Sequence, residues 1–254
     1  MATVEALPEI DREDSPAYPV ESYEPPRRRR RKPPISIAAL RLLAGEPIVE
    51  AEGNRQALYL TAKRLLDIAG ALFLLVLLGP LMLGVLAVLT VTTRGNPLFV
   101  QERLGYRGRR FRMIKFRTMR LDANKVQHLV KNEKDGPIFK NRRDPRITRI
   151  GRILRMTSID ELPQLINVLK GEMSLVGPRP PVPGEVAKYK QWHRRRLAVR
   201  PGLTCLWQVS GRSEVGFEDW VRMDLWYLRN QSLKTDLRLL LATPWKVLTG
   251  KGAY

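Results

Sequence analysis

Cysteine occurs once in these 254 residues, at Cys205, and histidine twice, at His128 and His193. One thiol excludes an internal disulfide framework and any multi-cysteine metal site, and two imidazoles exclude a histidine-rich zinc site. Cys205 sits beside Leu206 and Trp207 with no basic partner at local spacing, so it reads as a packed side chain rather than a nucleophile. Acidic residues are also scarce against basic ones, 25 to 45, which leaves a net charge of +20. That imbalance points to anionic partners: nucleic acid, phospholipid headgroups or phosphorylated substrates. No internal repeat is evident.

Residues 1–54 lack an apolar period. Eight prolines fall in the first fifty positions, and the early acids give way to six consecutive cations, Arg27–Lys32. Such a composition buries too little surface to offset the chain entropy lost on folding, so a disordered, basic, Pro-rich tail is expected. No apolar stretch follows the opening residues in the order a signal peptide requires. The cationic run suits contact with anionic membrane lipid or nucleic acid, and it is equally compatible with a solvated linker.

What the tail lacks, residues 65–93 have in excess. From Ile68 to Val91 there is no charged residue, and Arg64 and Arg94 bracket the run. Its length suffices for a membrane-spanning helix of about 20 residues. Two features oppose a simple span. Lys63 and Arg64 precede it while Arg94, Arg103, Arg107, Arg109 and Arg110 follow, and cations at both ends favour the cytoplasm on both sides. Gly79-Pro80 also interrupts the middle, leaving arms of roughly 18 Å, too short for a core of about 30 Å. A re-entrant helix hairpin over residues 55–97 meets both features; a Pro-kinked single span remains the alternative.

The expected fold for the whole chain is α+β and mostly helical, with a third region, 98–254, as a catalytic domain. Leu98–Arg103 and Arg110–Arg117 flank Gly105-Tyr106-Arg107-Gly108, a β-hairpin pattern whose second strand ends in Lys115 and Arg117. Residues 122–140 form a polar connector. Glu185–Val199 is basic, with Tyr189 and Trp192 three apart. Residues 217–228 and 232–247 each place Leu and Trp residues at helical spacing, and helices of that kind with many cations suit the membrane interface. Packing in a core would produce the same spacing.

The stretch from Asp144 to Pro180 carries the chemistry. Asp144 is a candidate N-cap with Pro145 at the first helical position, and Ile147, Ile150 and Leu154 share a face. Arg146, Arg149, Arg152 and Arg155 form a cationic stripe beside it. A second helix carries Leu162, Leu165, Ile166 and Leu169 and stops at Lys170-Gly171. Its start is either a Ser158–Glu161 capping box or an Asp160 N-cap; the second leaves Pro163 among first-turn positions that need no N–H. Asp160 and Glu161 then sit at a helix N-terminus, where the dipole favours ionised carboxylates. Two carboxylates beside several guanidiniums are what phosphoryl chemistry on a nucleotide requires. One serves as nucleophile, the other helps to hold a divalent metal, and arginines clamp phosphate oxygens. A plain capped helix with a solvated basic neighbour would give a similar pattern.

Six motifs in order narrow the choice: KFRTM (115–119), DPRITRIGRILR (144–155), TSIDELPQLINVLKGEMSLVGPRP (157–180), RPGLT (200–204), SGR (210–212) and GKGAY (250–254). From about Ala62 onward the chain resembles the bacterial sugar transferases, monotopic polyprenyl-phosphate phosphoglycosyl transferases that begin exopolysaccharide, O-antigen or glycan assembly. Gly79-Pro80 stands where many members have Ser-Pro. The resemblance implies transfer of a sugar 1-phosphate from a UDP-sugar to polyprenyl (undecaprenyl) phosphate with release of UMP, at the cytoplasmic face of a bacterial inner membrane. It implies Asp160 as nucleophile and Glu161 as its partner at Mg²⁺. Lys115, Arg117, Arg155 and Arg179, then Arg200 and Arg212, are the expected phosphate ligands. Nucleic acid is not an expected partner: a basic nucleic-acid-binding protein accounts for the charge but not for residues 68–93. A non-enzymatic scaffold of polysaccharide export accounts for the apolar run but leaves Asp160-Glu161 without a role. Nothing in the sequence reads a sugar's hydroxyl configuration.

Overall fold

The computed structural model describes residues 53–93, 95–133, 135–210 and 215–248. The tail, Arg212 and the closing GKGAY motif lie outside them. Helix α1 runs from Gly53 to Thr93 with Pro80 inside it, and Gln56–Thr93 is long and apolar enough to cross a membrane. The helix is continuous through Gly79-Pro80, the point at which the expected re-entrant hairpin would bend. Nothing lies within 4 Å of where a Gly79 Cβ would stand, so this glycine does not serve a close packing contact.

The charged residues of α1 are confined to its first turns, and there they fasten it to the rest of the chain. Tyr59, Lys63 and Asp67 recur every four residues and so share a face. Tyr59 Oη and Lys63 Nζ both donate to Asp236 Oδ2, at 3.0 and 2.9 Å. Asp67 Oδ1 accepts from Ser174 Oγ and Leu175 N, each at 2.9 Å. Arg64 donates to the carbonyls of Val168 and Leu169 at 2.7 and 2.8 Å, where a helix end leaves acceptors unpaired. Ala71 is fully buried, but Leu72, Phe73, Val76, Leu77, Leu83 and Val91 are exposed. Further along, Leu89 is buried again against Phe116 and Leu154. An apolar surface this extensive between two anchored ends marks a membrane-associated helix.

Strands β1 (Leu98–Leu104) and β2 (Arg110–Phe116) form the expected antiparallel hairpin, with Leu98 opposite Phe116 and Leu104 opposite Arg110. Arg107 and Gly108 take positive φ in its turn. Helix α2 spans Arg149–Met156. Its N-cap is Thr148, whose Oγ1 accepts from Gly151 N at 2.9 Å, and not Asp144 as the sequence suggested. Asp144 instead chelates Arg146, backbone and guanidinium together, with both side chains buried. A neighbouring ion outcompetes the capping role because a buried guanidinium must be paired. The Asp160 N-cap and the Ser158 capping box are both corrected too: Ile159–Glu161 is a single 3₁₀ turn entered through a left-handed Ser158 (φ 57°). Helix α3 (Gln164–Leu169) follows, with Pro163 just ahead of it, where its missing N–H costs nothing.

Beyond α3 come β3 (Ser174–Val176), short helices α4 (Pro183–Ala187) and α5 (Gln191–Arg194), and β4 (Gly202–Thr204). Strands β3 and β4 pair in parallel, Ser174 with Gly202 and Val176 with Thr204. Three residues are too few to show a period of two, so this pair leaves no local signal in the sequence. Helices α6 (Leu206–Ser210), α7 (Phe217–Arg229) and α8 (Leu233–Leu248) close the body. The expectation of an interfacial α7 is overturned: Phe217, Trp220, Val221, Leu225 and Leu228 are all in the core. α8 keeps an exposed stripe of Leu233, Leu237, Leu241 and Trp245 at four-residue spacing, opposite its buried Asp236.

Candidate active site

Asn167 is the structural origin of the site. Its fully buried side chain on α3 donates to Arg112 O at 2.8 Å and accepts from Ile114 N at 3.1 Å, so the amide binds β2 as a further strand would. That contact fixes β2 beside the turn that precedes α3 and brings Lys115 to Glu161, Nζ to Oε1, at 2.7 Å. On the other side, the KFRTM loop lies so close to α2 that a Cβ on Gly151 would stand 2.0 Å from Thr118 O. Thr118 Oγ1 accepts from Arg155 Nε at 2.9 Å and aims that guanidinium at the acidic turn.

These groups line a cavity of about 1190 Å³. One wall is apolar and comes from α1, with Leu66, Gly70, Phe73, Leu74, Leu78 and Leu81; Trp207, Leu240 and Pro244 continue it. Asp160, Glu161, Lys115, Arg117, Arg155 and Arg179 all line it too, so the structure brings six of the expected residues to one place. Arg117 is partly committed, with Nε on Asn96 O at 2.6 Å and Nη2 on Leu98 O at 3.2 Å. Arg200 is not brought there: it is exposed at the entrance to β4 and donates to Gly171 O at 3.2 Å.

The two carboxylates differ. Glu161 is tied to Lys115, and although burial opposes its charge, Lys115, Arg179 and Arg103 outweigh burial and hold its pKa below the usual carboxylate range. Asp160 is buried and accepts no side-chain hydrogen bond among the described residues. Burial pushes its pKa up, the Glu161 charge adds to this, and Lys115 and Arg155 only partly oppose it. The expected dipole stabilisation of an ionised Asp160 is therefore outweighed by desolvation. A three-residue 3₁₀ turn also has little dipole to offer.

Arg103, one of the cations that flank the apolar run in sequence, also belongs to the cavity. It is buried, lines the same cavity, and donates to Gln101 Oε1 at 2.7 Å and Pro180 O at 3.0 Å. Burial, reinforced by the neighbouring Arg179 charge, lowers its pKa to about 10. The signal was present: Phe99, Gln101 and Arg103 alternate along β1 and all three face the cavity. Thr118 and Asn167 carried no such signal, since their roles depend on contacts 37 and 55 residues away in sequence.

Among the described residues no three His, Cys, Asp or Glu side chains converge as a metal site. Mg²⁺ commonly takes only one or two carboxylates and completes its shell with water and substrate phosphates, so Asp160 and Glu161 fit such an ion.

The site is thus a buried acidic turn among guanidiniums, open on one side to the apolar helix α1. Comparison with known proteins identifies the family. Residues 58–250 match the bacterial sugar transferase family, and the chain belongs to it. The chain is similar to the galactosyl transferase CpsE of Streptococcus agalactiae serotype III (strain NEM316). They are 46% identical over 202 residues, covering 77% of this chain and 44% of that protein. Undecaprenyl-phosphate galactose phosphotransferase of Salmonella typhimurium (strain LT2) is 43% identical, covering 76% and 41%. Exopolysaccharide production protein ExoY of Sinorhizobium fredii (strain NBRC 101917 / NGR234) is 39% identical, covering 76% and 88%. The matched stretch is thus less than half the length of the first two relatives and most of the third.

Proposed function

We propose that this protein transfers a sugar 1-phosphate from a UDP-sugar to polyprenyl (undecaprenyl) phosphate, releasing UMP, as the first membrane step of a bacterial exopolysaccharide or related glycan. The observation that carries the reading is Asp160: a buried carboxylate that accepts no side-chain hydrogen bond among the described residues, set among cations in a cavity that the apolar helix α1 walls. A carboxylate that no side chain ties down in that setting suits a nucleophile better than a structural cap. A further relative, of Erwinia amylovora, is named a UDP-galactose-lipid carrier transferase, and with the name of the Salmonella protein this supports a UDP-sugar and undecaprenyl phosphate as the substrates.

In the mechanism, an Asp160 oxygen attacks the phosphorus that bears the sugar. The bond from that phosphorus to the bridging oxygen breaks, and UMP leaves with the bond's electron pair. The lipid phosphate oxygen then attacks the same phosphorus and returns the Asp160 carboxylate. Lys115, Arg155 and Arg179 neutralise phosphate oxygens in both steps, while Glu161 with Asp160 would hold Mg²⁺. Bound there, the ion would draw charge from the diphosphate and so lower the barrier to displacement. The apolar cavity wall from Leu66 to Leu81 suits the prenyl chain, and Arg117 stands at the cavity's polar side.

UDP-sugars are made in the cytoplasm, so the site belongs at the cytoplasmic face of the inner membrane. Both ends of α1 fasten to the same catalytic body, through Lys63 and Arg64 at one end and Leu89 at the other. That supports a re-entrant α1 whose exposed middle dips into the bilayer and returns. The exposed α8 stripe, with Lys234 and Arg238 between its apolar residues, suits contact with anionic lipid.

Without lipid acceptor, purified protein should release about one UMP per active site and stop, as ping-pong chemistry requires. Asp160→Asn should abolish this burst, and intact mass should show one added sugar phosphate on the wild type alone. If UMP appears only in the presence of polyprenyl phosphate and no adduct forms, Asp160 is not the nucleophile.

A further inference from the structure

The Pro178–Pro181 loop connects β3 to α4, and Arg179 is its one side chain with charge. Three of these four residues are prolines and have no N–H, so the loop cannot build its own hydrogen-bonded turn. Each of its four carbonyls is instead met from elsewhere. Pro178 O accepts from Gly202 N at 2.9 Å and Pro181 O from Leu104 N at 2.9 Å. Pro180 O accepts from Arg103 Nη1 and Arg179 O from Arg196 Nη2, both at 3.0 Å.

Two of the four donors are buried guanidiniums. Arg196 is 2% exposed, forms an ion pair with the buried Asp224 and donates to Tyr189 Oη at 2.9 Å. Both arginines of interest lie over Trp220, with Arg196 Cζ 5.3 Å and Arg179 Cζ 5.6 Å from its ring centroid. The Arg179 guanidinium itself makes no hydrogen bond or ion pair among the described residues, and it faces the cavity. Burying an arginine–aspartate pair is seldom favourable for stability compared with an apolar pair of the same size. Its consequence here is geometric: Nη2 meets both Asp224 and the Arg179 carbonyl while Nη1 is held by Tyr189, so the guanidinium plane is fixed on three sides.

We propose that Arg196, aligned by Asp224, and Arg103 are positioning residues that hold the Pro178–Pro181 loop so that Arg179 meets a substrate phosphate. This rests on the transferase reading above. The phosphate can be that of the nucleotide sugar or that of the lipid, and the two half-reactions separate them. Lysine in place of Arg196 keeps a cation for Asp224 but has one nitrogen where the guanidinium uses two, and so cannot hold Tyr189 and the loop carbonyl in one fixed plane.

The test uses full-length protein in lipid nanodiscs with UDP-galactose and undecaprenyl phosphate. Arg196→Lys should lower kcat/KM about 10²-fold, the scale of an ångström-level misplacement, while the melting temperature stays within a few degrees. If that variant does not fold, Arg196→Met with Asp224→Leu removes the pair as a unit and should show the same loss. In an Arg179→Ala background either change should cost less than about threefold, because its effect passes through Arg179. A slowed UMP burst assigns Arg179 to the nucleotide; a normal burst with slowed turnover assigns it to the lipid phosphate. Equal losses with and without Arg179, or an Arg179→Ala protein of wild-type rate, overturn the positioning role. A wild-type protein that releases no UMP overturns the transferase reading itself.

Discussion

Asp160 is held in a state that costs stability. Its pKa rises to about 6 in the folded protein, mainly through burial, so above that pH the folded state carries a charge that water would solvate better. The sign follows directly. The folded chain binds this proton more tightly than the unfolded chain does, so ionisation between the ordinary carboxylate range and pH 6 weakens the fold. Asp160→Asn should therefore raise stability near neutral pH in EDTA, by on the order of 2 kcal/mol, as read by thermal melting. Activity should move the opposite way. The nucleophile must be ionised, so the rate should fall as pH drops through about 6, well above where an exposed aspartate would titrate. Lys115→Met should shift that limb upward, because it removes the largest influence favouring the Asp160 charge. An acid limb that stays in place in this variant would separate the pH dependence from Asp160.

At the scale of elements, the junction between α1 and the catalytic body is polar where the membrane segment is not. Asp236 is fully buried on α8 and accepts from Tyr59, Lys63 and, at 2.7 Å, Tyr227. Removing one partner of such a group leaves a buried charge uncompensated, whereas removing both does not. Lys63→Met should thus destabilise the protein by about 3 kcal/mol in detergent, and Lys63→Met with Asp236→Leu should recover most of that loss. Additive losses in the pair would show that Lys63 does not act through Asp236. The α1 anchor also bears on the site, since Leu66 and Gly70, on the turns just after Lys63, line the cavity.

For the whole molecule, the decisive quantity is which side of the bilayer each end of α1 occupies. With both ends bound to one body, cysteine reporters near residues 55 and 110, introduced into a Cys205→Ala chain, should be labelled only from the cytoplasm. Labelling of one reporter from outside would make α1 a simple span. Pro80→Leu should push the helix toward spanning, because it restores the hydrogen bond that proline removes. The reporters in that variant would then divide between the two faces.

The sequence alone determined what depends on neighbours along the chain. The apolar run of α1, the β1–β2 hairpin and the spans of α7 and α8 were legible because periodicity and turn residues are local signals. Membership of the family was legible in six short motifs. Tertiary structure decided what depends on competition between distant groups. Asp144 is lost as a cap because Arg146 needs it, and Thr148 takes over. Phe217–Arg229 is a core helix because other apolar faces cover it, which spacing cannot distinguish from a lipid face. Arg103 and Arg200 look alike in sequence, yet one is buried at the cavity and the other exposed away from it. Asp160 was legible as the candidate nucleophile, but its raised pKa was not. Desolvation is set by everything packed around a group, and no stretch of sequence contains that sum.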